Sequence, residues 1–542
     1  MGVIARQSIK GALANYLGVA IGFVITFFVL TRYLTEEEVG LTRVMVDAAM
    51  LFSCLAQLGT NASTVRFFPH YGKRVFGLTL LLPLTGFLIV GVLLLVLHGP
   101  LVELYSEKSP LIANYFYLLP MVGFLLIGVL LLAFHGPLVE LYSQKSPLIA
   151  DYFYLLPMLT FFALYMTVFE TNASVLMRIT VPKMVREVGI RVFNLGAYLL
   201  YGYRIISLDL FVWLFCGSYG IAMLLNLYYL LRIVKFDFSI FRFDWRYFTR
   251  ERRREVGRYT LFMTATVLAG NTPLINSLFI GAKAGAALTG VYAIASYIAN
   301  VVEVPYRSLG AISRPVVATA VKENNWGEVN RLARQVSLHQ LLVSLVIFYV
   351  IWINLDALYT FIPNGASYAG GAGVVLIMGL AKVINSSFSI GSDVLNYSRF
   401  YTRALPFIGL LTLSAIGFNS LLISHWGING SAAATLFSYL IFFFALMSYL
   451  WLRMKVSLFS TGQLKVVVLM AAAFGLNALW TALLSPLLLS TLHSPLSILL
   501  DATLKTLVLA SLLLTAVYAW KVSPTVNGII DKYIAKFKGL KS

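Results

Sequence analysis

The sequence is poor in charge and in cysteine. Asp, Glu, Lys and Arg make up only 12% of its 542 residues, about half of the share in soluble proteins, whereas 59% of the residues are hydrophobic. A soluble fold cannot bury so much apolar surface, so soluble enzymes and soluble binding domains are excluded. The two cysteines, Cys54 and Cys216, lie in apolar runs, and neither a disulfide framework nor a metal site is expected.

Motifs that carry chemistry are missing as well. The chain has no GxxxxGK(S/T) phosphate-binding loop, no HExxH and no CxxC. No segment between the apolar runs is long enough to form a soluble catalytic domain. We therefore expect a protein that is not an enzyme and that uses no cofactor and no metal ion.

Basic residues outnumber acidic residues by 41 to 22. In a soluble protein this excess would suggest a nucleic-acid partner, but here the basic residues cluster in short loops between apolar runs. Such a distribution is typical of the cytoplasmic loops of membrane proteins. We expect no nucleic-acid partner, and the basic loops indicate which ends of the apolar runs face the cytoplasm.

Fifteen apolar runs are long enough to cross the hydrocarbon core as helices of about 20 residues. They predict an all-α polytopic membrane protein with about fourteen transmembrane helices and one extra, duplicated hydrophobic segment. The runs lie near residues 12–33, 41–63, 76–97, 111–134, 148–169, 189–206, 210–231, 259–280, 287–306, 336–362, 370–392, 404–424, 430–452, 466–484 and 499–520.

The duplicated segment arises from a tandem repeat. Residues 86–120 and 123–157 are identical at 29 of 35 positions, and the copy adds the run 111–134. With fourteen crossings and a cytoplasmic amino terminus, 33 of 41 basic residues fall in inside loops; fifteen crossings with an external amino terminus place 31 there. We favour the first arrangement, with both termini cytoplasmic and 111–134 re-entrant or displaced. A copying accident without functional meaning is the competing interpretation.

Several stretches resemble one family of transporters, and they extend over nearly the whole chain. They include LTEEEVG at 34–40, VRFFPHY at 65–71, VPKMVRE at 181–187, GVYAIASYIANVVEVPYRSL at 290–309, LYTFIPNGASY at 358–368 and NSLLISHWGINGSAAATLFSYL at 419–440. The chain resembles the bacterial polysaccharide transporters, the O-antigen and capsule flippases of the multidrug/oligosaccharidyl-lipid/polysaccharide exporter superfamily.

This resemblance implies two six-helix lobes around a central cavity plus two carboxy-terminal helices, in the bacterial inner membrane. The implied division is an amino-terminal lobe at 1–231, which contains the repeat, a basic cytoplasmic linker at 232–258, a carboxy-terminal lobe at 259–452, and two further helices with a basic tail at 453–542. The implied partners are a lipid-linked oligosaccharide substrate, membrane lipids and further polysaccharide-assembly proteins. The repeat departs from the fourteen-helix plan of the family.

A lipid carrier that bears a diphosphate needs cationic partners at membrane depth. The candidates for substrate binding are three cations and three amides: Lys382, Arg43, Lys283, Asn271, Asn276 and Asn385. Lys382 is the preferred cation because it lies inside an apolar run, where an ionisable group costs roughly 2.5–3.5 kcal/mol and therefore faces protein or water. Helix pairing, snorkelling and hydrogen bonding between helices are the structural alternatives for these residues.

Four further residues are candidates for a gate or for coupling. Asp47 lies four residues from Arg43 on the same helix face and is expected to pair with it. Glu303 and Arg307 have the same spacing, with Pro305 between them, and Glu170 is an acid near the end of a run. A purely structural ion pair or a solvated helix end is the alternative in each case.

Three functions compete at this point. The preferred one is a flippase that translocates a polyprenyl-diphosphate-linked oligosaccharide, an O-antigen, capsular or exopolysaccharide repeat unit, by alternating access. A multidrug or cation antiporter of the same superfamily would need carboxylates at membrane depth. A polytopic polysaccharide polymerase or ligase would need a large loop for its catalytic groups, and every loop outside the basic ones is short.

Overall fold

The protein folds into helices. The computed structural model describes residues 17–96, 147–176, 178–237, 250–270, 273–486, 495–524, 527–528 and 531, and these residues contain no β-strand. Eight of the described helical stretches are long and apolar enough to cross a bilayer, and three shorter apolar helices accompany them. The predicted all-α, polytopic membrane protein is confirmed.

The described residues of Met1–Ala293 and Asn419–Ile428 form one compact unit, and those of Ile294–Phe418 and Asn429–Ser542 form a second. The first unit contains ten main helices. They are α1 Leu17–Tyr33, α2 Glu36–Ala56, α3 Thr60–Tyr71, α4 Arg74–Val96, α5 Leu156–Val175, α6 Ile190–Gly202, α7 Leu208–Ile233, α8 Arg250–Gly270, α9 Pro273–Lys283 and, ending in the second unit, α10 Ala286–Asn300.

The second unit continues with six main helices after a 3₁₀ turn at Val301–Glu303. They are α11 Val304–Lys322, α12 Trp326–Ile353, α13 Ala372–Tyr397, α14 Ala404–Tyr449, α15 Thr461–Leu483 and α16 Pro495–Ala519. The long α14 is broken at Gly427, whose φ of 54° and ψ of −132° are not helical. The break separates the predicted runs 404–424 and 430–452.

Helix boundaries differ from the predicted runs where a turn falls inside apolar sequence. The run 41–63 is divided, because α2 ends at Ala56 and two residues with positive φ, Leu58 and Gly59, interrupt the helix before α3. The loops expected at 64–75 and 307–334 are largely helical. Hydropathy windows detect apolar length but not a left-handed backbone conformation, which glycine accepts at little cost.

The predicted run 259–280 is divided between two helices. Helix α8 ends at Gly270 and α9 begins at Pro273, where proline at the first helical position needs no backbone donor. The two residues between them, with the candidate Asn271, lie outside the described residues. The same is true of the segment 111–134, of most of the repeat and of 238–249 in the proposed linker, so the predicted lobe division stays a prediction.

The amino terminus of α2 is encoded by the sequence TEEE at 35–38. The backbone N–H of Glu38 donates to Thr35 Oγ1 at 3.3 Å, and the backbone N–H of Thr35 donates to Glu38 Oε2 at 2.9 Å. This reciprocal capping box satisfies donors that the helix cannot pair internally. The Tyr201 hydroxyl donates to the other oxygen of Glu38, which ties the start of α2 to the end of α6.

The core of the first unit lies around α5, which packs most extensively against α7 and α2. Its fully buried residues are Leu156, Leu159, Leu164, Met166 and Val168. Helices α2 and α10 approach still more closely, through Gly40 and Gly290. A Cβ atom on Gly40 would lie 1.9 Å from the Ala286 carbonyl oxygen, and one on Gly290 would lie 2.0 Å from the Glu36 carbonyl oxygen.

The core of the second unit lies between α12, α13 and the two last helices. Phe348 and Tyr349 of α12 are almost fully buried. Phe348 fills the space opposite Gly379 of α13, and the Tyr349 hydroxyl donates to the Ala473 carbonyl oxygen of α15 at 2.8 Å. A buried tyrosine hydroxyl needs such a partner, so this bond helps to hold α15 against α12.

Candidate functional site

Several charged side chains in the described helices form ion pairs. In the first unit, Arg43 Nε donates to Asp47 Oδ2 at 2.6 Å within α2. The Ser277 hydroxyl of α9 donates to the same oxygen at 2.6 Å. Asp47 is 5% exposed, whereas Arg43 remains 26% exposed. The predicted pairing of Arg43 with Asp47 is confirmed, and the arginine side chain stays partly exposed.

Asn276 lies beside Ser277 in a chain of polar side chains. Its Nδ2 donates to the Tyr292 hydroxyl at 2.9 Å, and its Oδ1 accepts from Asn419 Nδ2 at 3.0 Å. Asn276 is 2% exposed and Asn419 is fully buried. Both ends of the Asn276 amide thus join α9 to neighbouring helices, which agrees with a helix-pairing role.

This amide chain leads to a stability prediction. Replacing Asn276 with alanine removes the acceptor of the buried Asn419 Nδ2 and the donor to the Tyr292 hydroxyl, so we expect the free energy of unfolding to fall by about 1–3 kcal/mol. Equilibrium unfolding in detergent micelles measures the change. Asn61→Ala is a suitable control, because its bond to Thr167 is long, at 3.5 Å, and only partly buried. Equal effects of the two substitutions would contradict the prediction.

Lys283 is the last residue of α9, as expected for a lysine at a helix end. Its ammonium group donates to the backbone carbonyl oxygen of Ser420. The lysine thereby satisfies a carbonyl in the segment Asn419–Ile428, which belongs to the same unit. The contact gives Lys283 a structural partner close to the Asn276 chain.

In the second unit, Lys382 of α13 forms an ion pair with Glu303. Lys382 Nζ lies 3.4 Å from Glu303 Oε2, and Asn385 Nδ2 donates to Glu303 Oε1 at 2.9 Å. The side chains of Lys382 and Glu303 are 10% and 11% exposed. Three sequence candidates therefore meet in one buried cluster, in which Asn385 satisfies the carboxylate oxygen farther from the lysine.

A second ion pair joins the same segments. Arg314 Nε donates to Asp393 Oδ2 at 3.1 Å, and the guanidinium also donates to the Tyr306 hydroxyl. The Arg314 side chain is 38% exposed. The sequence interpretation missed Arg314 because it was assigned to a loop. The helical spacing of apolar residues through 304–322, which continues past Arg314, is the sequence signal that indicates a helix here.

The two ion pairs define how these segments run. Glu303 and Arg314 are eleven positions apart in the sequence, as are Lys382 and Asp393, which corresponds to about 16 Å of helix and about three turns. The pairs therefore lie on one face of each segment, and the segments run in the same direction. The polarity is opposite in the two pairs, since the acid lies on the first segment in one pair and on α13 in the other.

Glu170 is buried, in contrast to the solvated helix end considered for it. Its carboxylate accepts from Arg186 Nη1 at 2.8 Å. Arg186 also contacts Glu187, which lies 3.4 Å from Arg191. The four charges form a chain at the carboxy-terminal part of α5 and at the π-helical turn Val185–Gly189 that precedes α6.

The pairing expected between Glu303 and Arg307 stays a prediction, and the structure describes two other partners of Glu303, Lys382 and Asn385. Glu303 closes the 3₁₀ turn Val301–Glu303 and is the N-cap of α11, which begins at Val304 and has Pro305 in its first turn. The side chain of Arg307 lies outside the described residues.

The partly exposed arginines are the groups that can act on an anion. The side chains of Arg43 and Arg314 are 26% and 38% exposed, and a carboxylate orients the guanidinium group of each. An arginine fork can bind phosphate through two parallel hydrogen bonds. Among the described residues, no group of three or more His, Cys, Asp and Glu side chains is placed to hold a metal ion.

Comparison with known proteins identifies the fold. No protein-family model and no curated protein sequence matches the chain. The structure is similar to that of the lipid II flippase MurJ in an inward closed conformation, with a TM-score of 0.60, 12% identity, and coverage of 93% of this chain and 98% of the flippase. It is also similar to an inward-facing multidrug resistance MATE family transporter, with a TM-score of 0.50, 16% identity, and coverage of 84% and 98%. The chain has the fold of the superfamily that its sequence resembles.

Proposed function

We propose that the protein is a flippase for a polyprenyl-diphosphate-linked oligosaccharide in the bacterial inner membrane, working by alternating access. The cargo is the repeat unit of an O-antigen, a capsule or an exopolysaccharide. The observation that carries the proposal is that described arginines, Arg43 and Arg314 among them, are oriented by carboxylates and are still partly exposed. A diphosphate can share such arginines without leaving either carboxylate buried alone.

The roles of the cations follow from their surroundings. Arg43 of the first unit and Arg314 of the second unit are each proposed as a contact for the diphosphate, because each side chain is partly exposed. Lys382 is less suited to direct contact, since its ammonium is covered and paired with Glu303. We propose the pair of Lys382 and Glu303 as a gate element. The likeness of the fold to a lipid II flippase supports a lipid-linked cargo.

The proposed function is tested by locating the lipid-linked oligosaccharide after deletion of the gene. Accumulation on the cytoplasmic leaflet, reversed by the intact gene, is the expected result. Accumulation of unpolymerised repeat units on the outer leaflet would contradict it and would indicate a polymerase or ligase. Normal distribution of the oligosaccharide together with loss of organic-cation efflux would indicate an antiporter.

The arginine contacts lead to a transport prediction. Arg43→Gln and Arg314→Gln are each expected to lower translocation at least about tenfold, because a charge-assisted hydrogen bond is worth about 1.5–3 kcal/mol. Lysine at either position should restore only part of the activity, since it lacks the planar fork. The readout is the amount of oligosaccharide that reaches the outer leaflet in cells with equal amounts of protein.

Arg331→Gln is the matched control for these variants. Arg331 also pairs with a carboxylate, that of Glu328, but its side chain is 62% exposed at the start of α12. Translocation by this variant should stay within about twofold of the intact protein, because exposed ion pairs contribute little. If Arg331→Gln impaired translocation as strongly as the other two substitutions, general loss of positive charge would explain the effect.

A further inference from the structure

The second unit contains an apolar pocket of about 470 Å³. Its walls come from α13, from the last turns of α14 and from the segment 457–459. Aromatic and sulfur-containing side chains dominate the lining, with Phe388, Phe443, Met447, Trp451 and Phe459 among them. Its volume is in the range of ligand pockets, and its lining suits an aliphatic chain.

The pocket is formed by a reversal of the chain after α14. Lys455 has a left-handed backbone conformation, with φ of 56°, and the Val456 N–H donates back to the Leu450 carbonyl oxygen at 3.2 Å. The chain that follows contacts α13, where the rings of Phe459 and Phe388 lie 5.5 Å apart. Gly391 permits this approach, because a Cβ atom there would lie 2.9 Å from Leu458.

Cations surround the reversed segment. The Ser457 N–H donates to Asn330 Oδ1 at 2.8 Å, and Arg334 Nε donates to the Ser457 carbonyl oxygen at 3.3 Å. Ser457 is also a lining residue of the pocket. Arg334 is exposed, as are Arg453 and Lys455 in the turn itself. The charge distribution predicts that this turn faces the cytoplasm.

We propose that this pocket binds an anionic phospholipid of the cytoplasmic leaflet. One acyl chain occupies the apolar pocket, and the headgroup phosphate is held by Arg334, Arg453 and Lys455. Clustered cations at a helix end attract anionic lipids, and tryptophan prefers the level of the headgroups. Trp451, which is 61% exposed, and Phe444, which is 76% exposed, form the side that opens toward the bilayer.

The fluorescence of Trp451 tests this proposal on the full-length protein. The purified protein is reconstituted in phosphatidylcholine bilayers that contain a small fraction of either brominated phosphatidylglycerol or brominated phosphatidylcholine. Bromine on the acyl chain quenches a tryptophan that it contacts, and subtraction of the Trp451→Phe variant isolates the signal of Trp451. We expect half-maximal quenching at a mole fraction at least about fivefold lower for the anionic lipid, because the cations add to its affinity.

Two variants separate the pocket from the general lipid surroundings. Arg334→Gln combined with Lys455→Gln should abolish the preference for the anionic lipid, and Ser448→Phe should reduce quenching by filling the pocket. Arg331→Gln, on the same helix as Arg334, should leave the preference unchanged. Equal quenching by the two brominated lipids in the intact protein would overturn the proposal.

The substrate lipid is the competing occupant. Unlabelled phosphatidylglycerol should relieve the quenching, whereas a polyprenyl diphosphate should not relieve it at the same mole fraction. Relief by the polyprenyl diphosphate alone would overturn the phospholipid assignment. The experiment measures lipid binding without transport, so its outcome is independent of whether the protein is a flippase.

Discussion

Replacing Lys382 with methionine is expected to lower the free energy of unfolding by about 3–5 kcal/mol, because it leaves the Glu303 carboxylate buried without its cation. Both side chains are about nine-tenths buried, so solvent cannot substitute for the lost partner. Combining Lys382→Met with Glu303→Gln removes both charges and keeps an acceptor for Asn385. The double variant should regain most of the lost stability. Equilibrium unfolding in detergent micelles gives the four values of this double-mutant cycle.

Transport by these variants separates the gate from a structural pair. If the pair acts as a gate, the double variant is folded but translocates poorly, and Lys382→Ala impairs transport while the protein still reaches the membrane. Normal export by either variant would contradict a role in transport. Additive losses of stability in the cycle would contradict the ion pair itself. The double substitution Lys505→Met and Asp501→Asn is the control. It removes another ion pair, whose charged atoms lie 3.7 Å apart in α16.

Replacing Gly40 with leucine is expected to prevent stable folding of the first unit. Even the first added carbon would lie 1.9 Å from the Ala286 carbonyl oxygen, and backbone atoms cannot move aside as a flexible side chain can. Overpacked cores usually lose about 1–3 kcal/mol, and a backbone clash at a helix crossing should exceed that range. The measurement is the amount of protein recovered as a single species after extraction in mild detergent.

Gly217→Ala is the control for this substitution. Gly217 also lies inside a helix of the first unit, α7, but no atom lies within 4 Å of a Cβ added there. Its substitution should leave stability unchanged or raise it by up to about 1 kcal/mol, because alanine favours the helix. Tolerance of leucine at Gly40 would mean that α2 and α10 are farther apart than the structure indicates.

Local pairing in the candidate site could be predicted from the sequence when both partners lie on one regular helix. Arg43 and Asp47 are four residues apart, and their pairing follows from helical geometry alone. The same rule predicts a pair of Glu303 with Arg307, whose side chain lies outside the described residues, and the partner that the structure describes for Glu303 is Lys382. The partner of Glu303 is 79 residues away in the chain, and no spacing rule reaches that far.

Arg314 shows a different limit. Its helix carries enough polar residues to be taken for a loop, yet it packs against α12 and α13. Hydropathy measures the transfer of a segment to lipid, whereas a helix that contacts other helices can keep polar residues at those contacts. The pairing of Arg314 with Asp393 therefore depends on tertiary packing, as does the pairing of Lys382 with Glu303.

The sequence by itself determined that the chain is an all-helical, multi-pass membrane protein, because apolar length and the need to pair every backbone amide in lipid leave no other solution for such runs. It also determined the local caps and the pair on α2, which need only neighbouring residues. The tertiary structure alone decided which charges meet across helices, how closely α2 and α10 approach, and where the reversed segment after α14 encloses a pocket. Those features depend on contacts between residues far apart in the chain, and their energies are set by burial and distance.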